Sequence, residues 1–288
     1  MQGSECFMSK IKIVTDSTAD LSSEIIDKYA IEVVPLTIHI EGNTYLDRVD
    51  ITPSEFIRKM KEANELPKSS QPPAGAFVEV YDRFGEEGYD IISIHMTGGM
   101  SGTVRSAESA AGMSSANVTV VDSRYISKAL AFQVLEAAKL AKEGKSVQEI
   151  VERLNTVRES SKLFVVVDTL ENLVKGGRIG KGKAMIGSLL NIKPIASLEG
   201  GVYTPVAKVR SHNQVAKYLA KQFAEDVKGK AIKGVGLVHA EGYELASKLK
   251  RLIEEMTAYD KVEIEETTPI ISTHTGPGAI GFMYYLED

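Results

Sequence analysis

Cysteine is almost missing from this chain: Cys6 is the only one among 288 residues. A lone thiol excludes an intrachain disulfide, and its place in the opening stretch MQGSECFM is a poor one for a buried catalytic nucleophile. Long apolar runs are missing too. A run such as LFVVV at 163–167 falls far short of the roughly 20 residues a helix needs to cross a bilayer. MQGSECFM has neither a basic start nor an apolar centre, so it does not read as a signal peptide. It reads as leftover expression sequence with Met8 as the expected natural start, and the expected location is the cytoplasm. Positive charge is nowhere concentrated. Thirty-four Lys and Arg face 39 Asp and Glu, for a net charge of -5, with no basic tail, basic stripe or aromatic repeat, which argues against nucleic acid.

What is present describes a soluble globular protein, with 43% hydrophobic and 25% charged residues and enough length for two ordinary domains or one large one. There is no internal repeat and no low-complexity tract. KIKIVTDSTAD (10–20) predicts a strand ending in a polar turn, and LSSEIIDKYA a helix capped near Ser22 or Asp20. IEVVPLTIHIEG (31–42) reads as strand. ITPSEFIRKMKEA (51–63) carries a helix start in Thr52 and Pro53, and the Pro/Ser-rich LPKSSQPPAG (66–75) reads as a structured loop. Helix, strand, helix, strand and two further helices follow up to about 160. This alternation predicts a mostly parallel sheet. Beyond 160 the style changes. Strands are expected at 202–211, 230–241 and 261–271, with amphipathic helices near 212–227 and 242–257, as in an α+β domain.

Several stretches could carry chemistry. TDSTAD (15–20) sets two carboxylates, Asp16 and Asp20, at a strand end, where they could flank magnesium or close Asx and Ser/Thr turns. VVDS (120–123) offers Asp122 as a similar brace. MTGGMSGT (96–103) lies where a strand hands over to a helix, the usual ligand edge of an open α/β sheet. It matches neither the dinucleotide glycine pattern nor a nucleophile elbow. GRIGKGKA (177–184) has Gly177, Gly182 and Lys183 at phosphate-loop spacing, but Ala184 occupies the hydroxyl position and the segment follows a predicted helix. A lysine-lined surface loop is one alternative. A ligand loop in which Arg178 grips an anion is the other, since its planar fork can bind both carboxylate oxygens. SSQP (69–72) offers two hydroxyls and an amide, or simply a surface turn. His39, His95, His212 and His239 are scattered without zinc spacing. His274 differs, because THTGPGAIG (273–281) reads as an anion-holding loop of hydroxyls and glycines. Ser101, His274 and an aspartate such as Asp16 or Asp122 would be the parts of a hydrolase or phosphotransferase, if folding assembles them.

TDSTADL (15–21), LPKSSQP (66–72), MTGGMSGTVRSA (96–107), VVDS (120–123), GGRIG (176–180), NIKPI (191–195) and HTGPGAIG (274–281), in that order, resemble the DegV family over residues 10–288. These are bacterial fatty acid-binding proteins, among them the binding subunits of fatty acid kinase. The resemblance implies an α/β, two-domain DegV-like fold, with an N-terminal mostly parallel sheet at 8–160, a C-terminal α+β domain at 161–288 and a lipid site between them. It implies a long-chain fatty acid whose carboxylate is held by Arg178, His274, Ser69 or Ser70, and Thr97 or Ser101. Many relatives carry two serines before a Gly-Leu-Ser-Gly-Thr turn where this chain has MTGGMSGT, which leaves the contact from that loop open. No catalytic residue, cofactor or metal is implied in this chain; a separate ATP-binding kinase subunit would phosphorylate the ligand. The division is physically sensible. Each buried methylene contributes roughly 0.8 kcal/mol, whereas a carboxylate buried alone is costly and needs charge-assisted hydrogen bonds.

Overall fold

The computed structural model describes residues 10–186 and 192–288. Cys6, Met8 and Asn191, the first residue of NIKPI, lie outside the described residues. In chain order the first half contains β1 (Lys10–Asp16), α1 (Ser23–Tyr29), β2 (Glu32–Val34), β3 (Thr37–Ile40), β4 (Asn43–Leu46), α2 (Pro53–Glu62), β5 (Lys68–Ser70) and α3 (Ala74–Glu86). It continues with β6 (Tyr89–His95), α4 (Thr103–Met113), β7 (Val118–Asp122), α5 (Ser127–Lys142) and α6 (Val147–Glu159). The second half contains β8 (Ser161–Val166), α7 (Glu171–Lys175), β9 (Lys193–Ser197), β10 (Thr204–Val209) and α8 (His212–Asp226). It ends with β11 (Ala231–Ala240), α9 (Tyr243–Thr257), β12 (Ile264–Glu266), α10 (Pro269–Thr275) and β13 (Ala279–Glu287).

The N-terminal sheet is parallel throughout, in the order β2-β1-β6-β7. The chain leaves β1 toward one edge and later returns to β6 on its other side. The loops after β1 and β6 therefore part at a topological switch point, where α/β sheets open a crevice. The C-terminal sheet runs β10-β9-β8-β13-β11-β12 and is antiparallel except for β11 beside β12. This is the mixed α+β unit the sequence predicts. One buried apolar cluster spans both halves, from Ile13 and Ile94 to Ile179, Tyr203 and Ile270, and the candidate site opens within it. A second lies under α8 and α9, where Phe223, Phe282 and Tyr284 meet edge-on. Among the described residues no helix is long and apolar enough to cross a membrane.

Four expectations change. IEVVPLTIHIEG is two strands: β2 joins the parallel sheet, while β3 pairs with β4 and β5 in a small antiparallel sheet of its own. The Pro/Ser-rich LPKSSQPPAG is not all loop, because Lys68–Ser70 pairs with β3. The 261–271 stretch keeps only three residues of strand, and Thr268 then caps α10 by accepting from the Ile271 N–H at 3.3 Å. Pro269 follows as the first helical residue, the same start signal as Thr52 and Pro53. THTGPGAIG is accordingly no single loop. It is the end of α10, a glycine turn with Gly276 and Gly278 at positive φ, and the start of β13.

Candidate functional site

The two halves enclose an apolar cavity with about 630 Å³ of space between its lining atoms, part of it open to solvent. Leu36, Met96, Met100 and Ile126 come from the first half, and Val165, Leu173, Leu198, Ile270 and Ile271 from the second. That size and lining suit a small, mostly apolar ligand. The polar groups are few: Thr18, Ser69, Gln71, Ser101, Arg178, Tyr203, His274 and Thr275. Ser69, Arg178 and His274 also line a polar vestibule of about 1310 Å³, open to solvent, together with Asn64, Lys68, Glu171, Asn172 and Lys175. These three residues therefore form the mouth between a greasy interior and a wet exterior.

His274 sits in the last turn of α10 rather than in a loop, and its Nε2 lies 2.7 Å from Ser69 Oγ across the two halves. Its Nδ1 is buried without a partner and faces Gly176. An orphaned N–H is costlier than a bare lone pair, so the proton belongs on Nε2, which donates to Ser69 Oγ. The Ser69 hydroxyl is thereby free to donate onward. Burial, and then the nearby Arg178 charge, depress the His274 pKa to about 4, so the ring is neutral at physiological pH. Arg178 donates through Nε to the Met100 carbonyl at 2.9 Å and through Nη1 to the Gly176 carbonyl at 2.5 Å. Both bonds fix the plane of the guanidinium at the mouth. Burial lowers its pKa without neutralising it.

The supporting shell starts from Asp16. One of its oxygens accepts from the Thr18 N–H (3.0 Å) and hydroxyl (2.6 Å), the other from the Met96 N–H (2.8 Å) and His95 Nδ1 (3.1 Å). It thus locks the loops after β1 and β6 at the switch point. Asn172 on α7 donates to the Thr273 carbonyl at 3.1 Å and ties α10 to the segment carrying Arg178. Gly102 has no side chain where Gln71 needs room; a Cβ there would stand 2.5 Å from Gln71 Nε2.

Of the residues expected at a carboxylate, Ser69, Ser101, Arg178 and His274 come together on the cavity. Ser70 does not: it lies one strand position from Ser69 and its hydroxyl meets His39 Nε2 at 3.0 Å. Thr97 does not either, since it is buried and donates to the Gly201 carbonyl at 2.8 Å, a structural clasp between the halves. Ser101 Oγ lies 2.8 Å from Thr103 Oγ1 and accepts from the Thr103 N–H at the start of α4. Gln71, Thr18, Tyr203 and Thr275 line the cavity without having been predicted. Gln71 left a trace as the amide of SSQP, and Thr18 and Thr275 lie within TDSTAD and THTGPGAIG, whereas Tyr203 lies in no motif. Tyr203 has its hydroxyl buried and unpartnered.

The other motifs resolve differently. GRIGKGKA follows a helix and enters a 3-10 helix at Gly180–Met185, so it lacks the strand–loop–helix frame of a phosphate loop. Asp20 accepts from Ser127 and Thr267, and Asp122 from the Gly98 and Arg124 N–H groups. Asp122 thus braces its own turn through the Arg124 N–H, whereas Asp20 closes no local turn and instead ties together segments distant in the chain. Among the described residues no three His, Cys, Asp or Glu side chains stand together as a metal site. The hydrolase constellation is not assembled: where a triad needs a carboxylate, His274 Nδ1 faces Gly176, while Asp16 is committed to a fully buried His95–Ser93–Tyr81 chain.

Comparison with known proteins gives the same outline. A family described as "Uncharacterised protein, DegV family" matches residues 10–287. A DegV domain-containing protein of Listeria monocytogenes is 46% identical over 281 residues, covering 97% of this chain and 100% of the relative. A solved Thermus thermophilus structure, titled as fatty acid binding of a DegV family protein, superposes with a TM-score of 0.89 at 33% identity, over 96% of this chain and 99% of its own. The Bacillus subtilis structure, titled as DegV, a fatty acid binding protein, gives 0.87 at 32% identity, with the same coverage of 96% and 99%.

Proposed function

Because the chain belongs to the DegV family, we propose that it binds a long-chain fatty acid and presents its carboxylate, in the cytoplasm, to a separate ATP-dependent kinase subunit. The hydrocarbon occupies the cavity between the halves, which we divide at 160 and 161, where α6 ends and β8 begins. The carboxylate lies at the mouth, near Ser69, Arg178 and His274, with Ser101 behind them. The chain supplies binding and orientation, and phosphoryl transfer is left to the partner. One observation carries this reading: among the described residues, the only ones common to the apolar cavity and the polar vestibule are Ser69, Arg178 and His274. A ligand with a long apolar tail and one anionic end fits that polarity, with its reactive end toward solvent. The fatty acid binding described for the Thermus and Bacillus relatives supports it.

Native mass spectrometry of the freshly purified protein, followed by negative-ion analysis of its organic extract, tests the reading. One long-chain fatty acid per chain is the expected result. A protein that arrives empty and refuses added palmitate would overturn it.

The geometry also makes Gly176 a site residue that touches no ligand. A Cβ there would collide with His274 Nδ1 and stand 2.8 Å from the Asn172 carbonyl, although the backbone, at φ -76°, accepts alanine. Gly176→Ala is expected to turn the ring, break the Ser69 bond and weaken palmitate binding about tenfold, the worth of one such bond. Displacement titration measures this, and unchanged affinity would mean that the Ser69–His274 pair does not hold the carboxylate.

A further inference from the structure

A second cavity, with about 340 Å³ between its lining atoms, adjoins the first and shares Ile126, Val165, Ile271 and Thr275 with it. It lies on the face of the C-terminal sheet that meets α5, on the far side of that shared wall from Ser69 and Arg178. We propose that the second cavity receives the far end of the acyl chain and sets the longest tail the protein accepts, with Gly281 as the residue that opens it. The proposal rests on the reading of the mouth as a carboxylate site and adds where the tail ends.

The sheet builds the space through register. Val165, Gly281 and Val238 are direct partners across β8, β13 and β11, so they share one face. The glycine leaves the middle of that row bare. A Cβ at Gly281 would come within 3.1 Å of Val238 Cγ2 and 3.2 Å of Met283 Cε, so any side chain there grows into the groove. Gly281 has no positive φ, hence its backbone does not require glycine; the space does. Val165 is only partly buried although β8 is flanked on both sides by strands, as an inward cavity wall would be.

Three of the four polar side chains around the second cavity are engaged elsewhere, and the fourth, His239, keeps a buried Nδ1 without a partner. Ser127 and Thr267 both donate to the Asp20 carboxylate, and the Thr275 hydroxyl donates to the Ile271 carbonyl at 3.1 Å. What these three turn toward the space is hydrocarbon. Ile126, on the shared wall, is set by its neighbour: Ser127 holds a left-handed φ of 58°, secured by its N–H on the Thr18 carbonyl at 2.9 Å and its hydroxyl on Asp20. Such a conformation persists only where the surroundings over-determine it.

A chain-length series decides the matter: laurate, myristate, palmitate, stearate and arachidate, competed against a fluorescent fatty acid. In the wild type each two-carbon step should tighten binding roughly tenfold until the space is full. Gly281→Val, verified as folded by circular dichroism, should leave laurate within about twofold of wild type and weaken stearate by about tenfold or more. Met283→Ala enlarges the same space and should raise the arachidate-to-stearate affinity ratio; it carries the test if the valine variant does not fold. Equal losses at every length in folded Gly281→Val, or an unmoved ratio in Met283→Ala, overturn the proposal while leaving fatty acid binding standing. A wild type that takes none of the acids removes the mouth reading and this proposal with it.

Discussion

Arg178→Ala should weaken palmitate binding by about 2–3 kcal/mol, roughly 30- to 160-fold, while hexadecanol binding changes by less than about threefold. The asymmetry follows from the chemistry of the mouth. A charge-assisted hydrogen bond to a carboxylate is worth about twice a neutral one, and without the guanidinium only the neutral Ser69 and His274 would remain as donors shared by cavity and vestibule. The alcohol has no charge to lose, and its tail keeps the same walls. Arg178 also bonds the Met100 and Gly176 carbonyls, so part of any effect could come from loosening the two segments. Arg178→Lys separates the contributions: it keeps the charge but has no fork to span both carbonyls. Recovery of most of the palmitate affinity by lysine would assign the loss to charge. Equal losses for acid and alcohol in the alanine variant would assign it to collapse of the mouth and refute a carboxylate role. Isothermal titration with both ligands gives the comparison directly.

How far the molecule could be read from its sequence depended on whether the deciding contact was local. Thr52 and Pro53 announce α2 because an N-cap needs only its own next three residues. The parallel strands are equally legible, since burial on both faces leaves isoleucine-rich runs such as IISI in β6, interrupted only by Ser93. The same burial hid β13. AIGFMYYLE is covered on both sides, shows no alternation, and begins in a glycine turn that draws the eye to the loop before it. Ser69 and Ser70 make the point at the site. Read as a loop, SSQP gives no reason to prefer either serine; once Lys68–Ser70 is a strand, its period of two sends Ser69 to His274 and Ser70 to His39. Arg178 and His274 stood out because their glycine-rich surroundings carry a motif. Tyr203 carries none. It enters the cavity because Gly180 and Gly182 leave room beside it, a contact across more than twenty residues that no local pattern encodes.

Between about pH 4 and pH 7 the wild-type protein should lose stability relative to Asp47→Asn, by on the order of 4 kcal/mol over the whole interval. Asp47 belongs to the first half, yet its Oδ1 accepts the Ile270 N–H at 3.2 Å, in the first turn of α10, which carries His274 at its other end. It is a cap supplied across the molecule, and its Oδ2 is buried without a partner. Burial raises its pKa to about 7, outweighing the hydrogen bonds from Ser17 and Ile270 and the charge of Arg48, while the neighbouring Asp20 adds repulsion. An acid whose folded pKa exceeds its unfolded value binds more protons when folded, so stability falls as pH rises from about 4 and levels off above 7. Asp20, raised by its own burial, acts in the same direction; His274, depressed to about 4, acts oppositely between its folded and unfolded pKa values. The variant comparison removes both, because Asp20 and His274 are present in each protein. Asparagine keeps the acceptor for Ile270 and does not ionise, so its urea-unfolding free energy should lack the Asp47 contribution at every pH. A difference between the two proteins that stays constant from pH 4 to pH 8 would mean that Asp47 does not titrate in this range. A falling difference would identify the α10 anchor as a protonated carboxyl in the acid range, holding His274 in place through the end of the helix opposite the mouth.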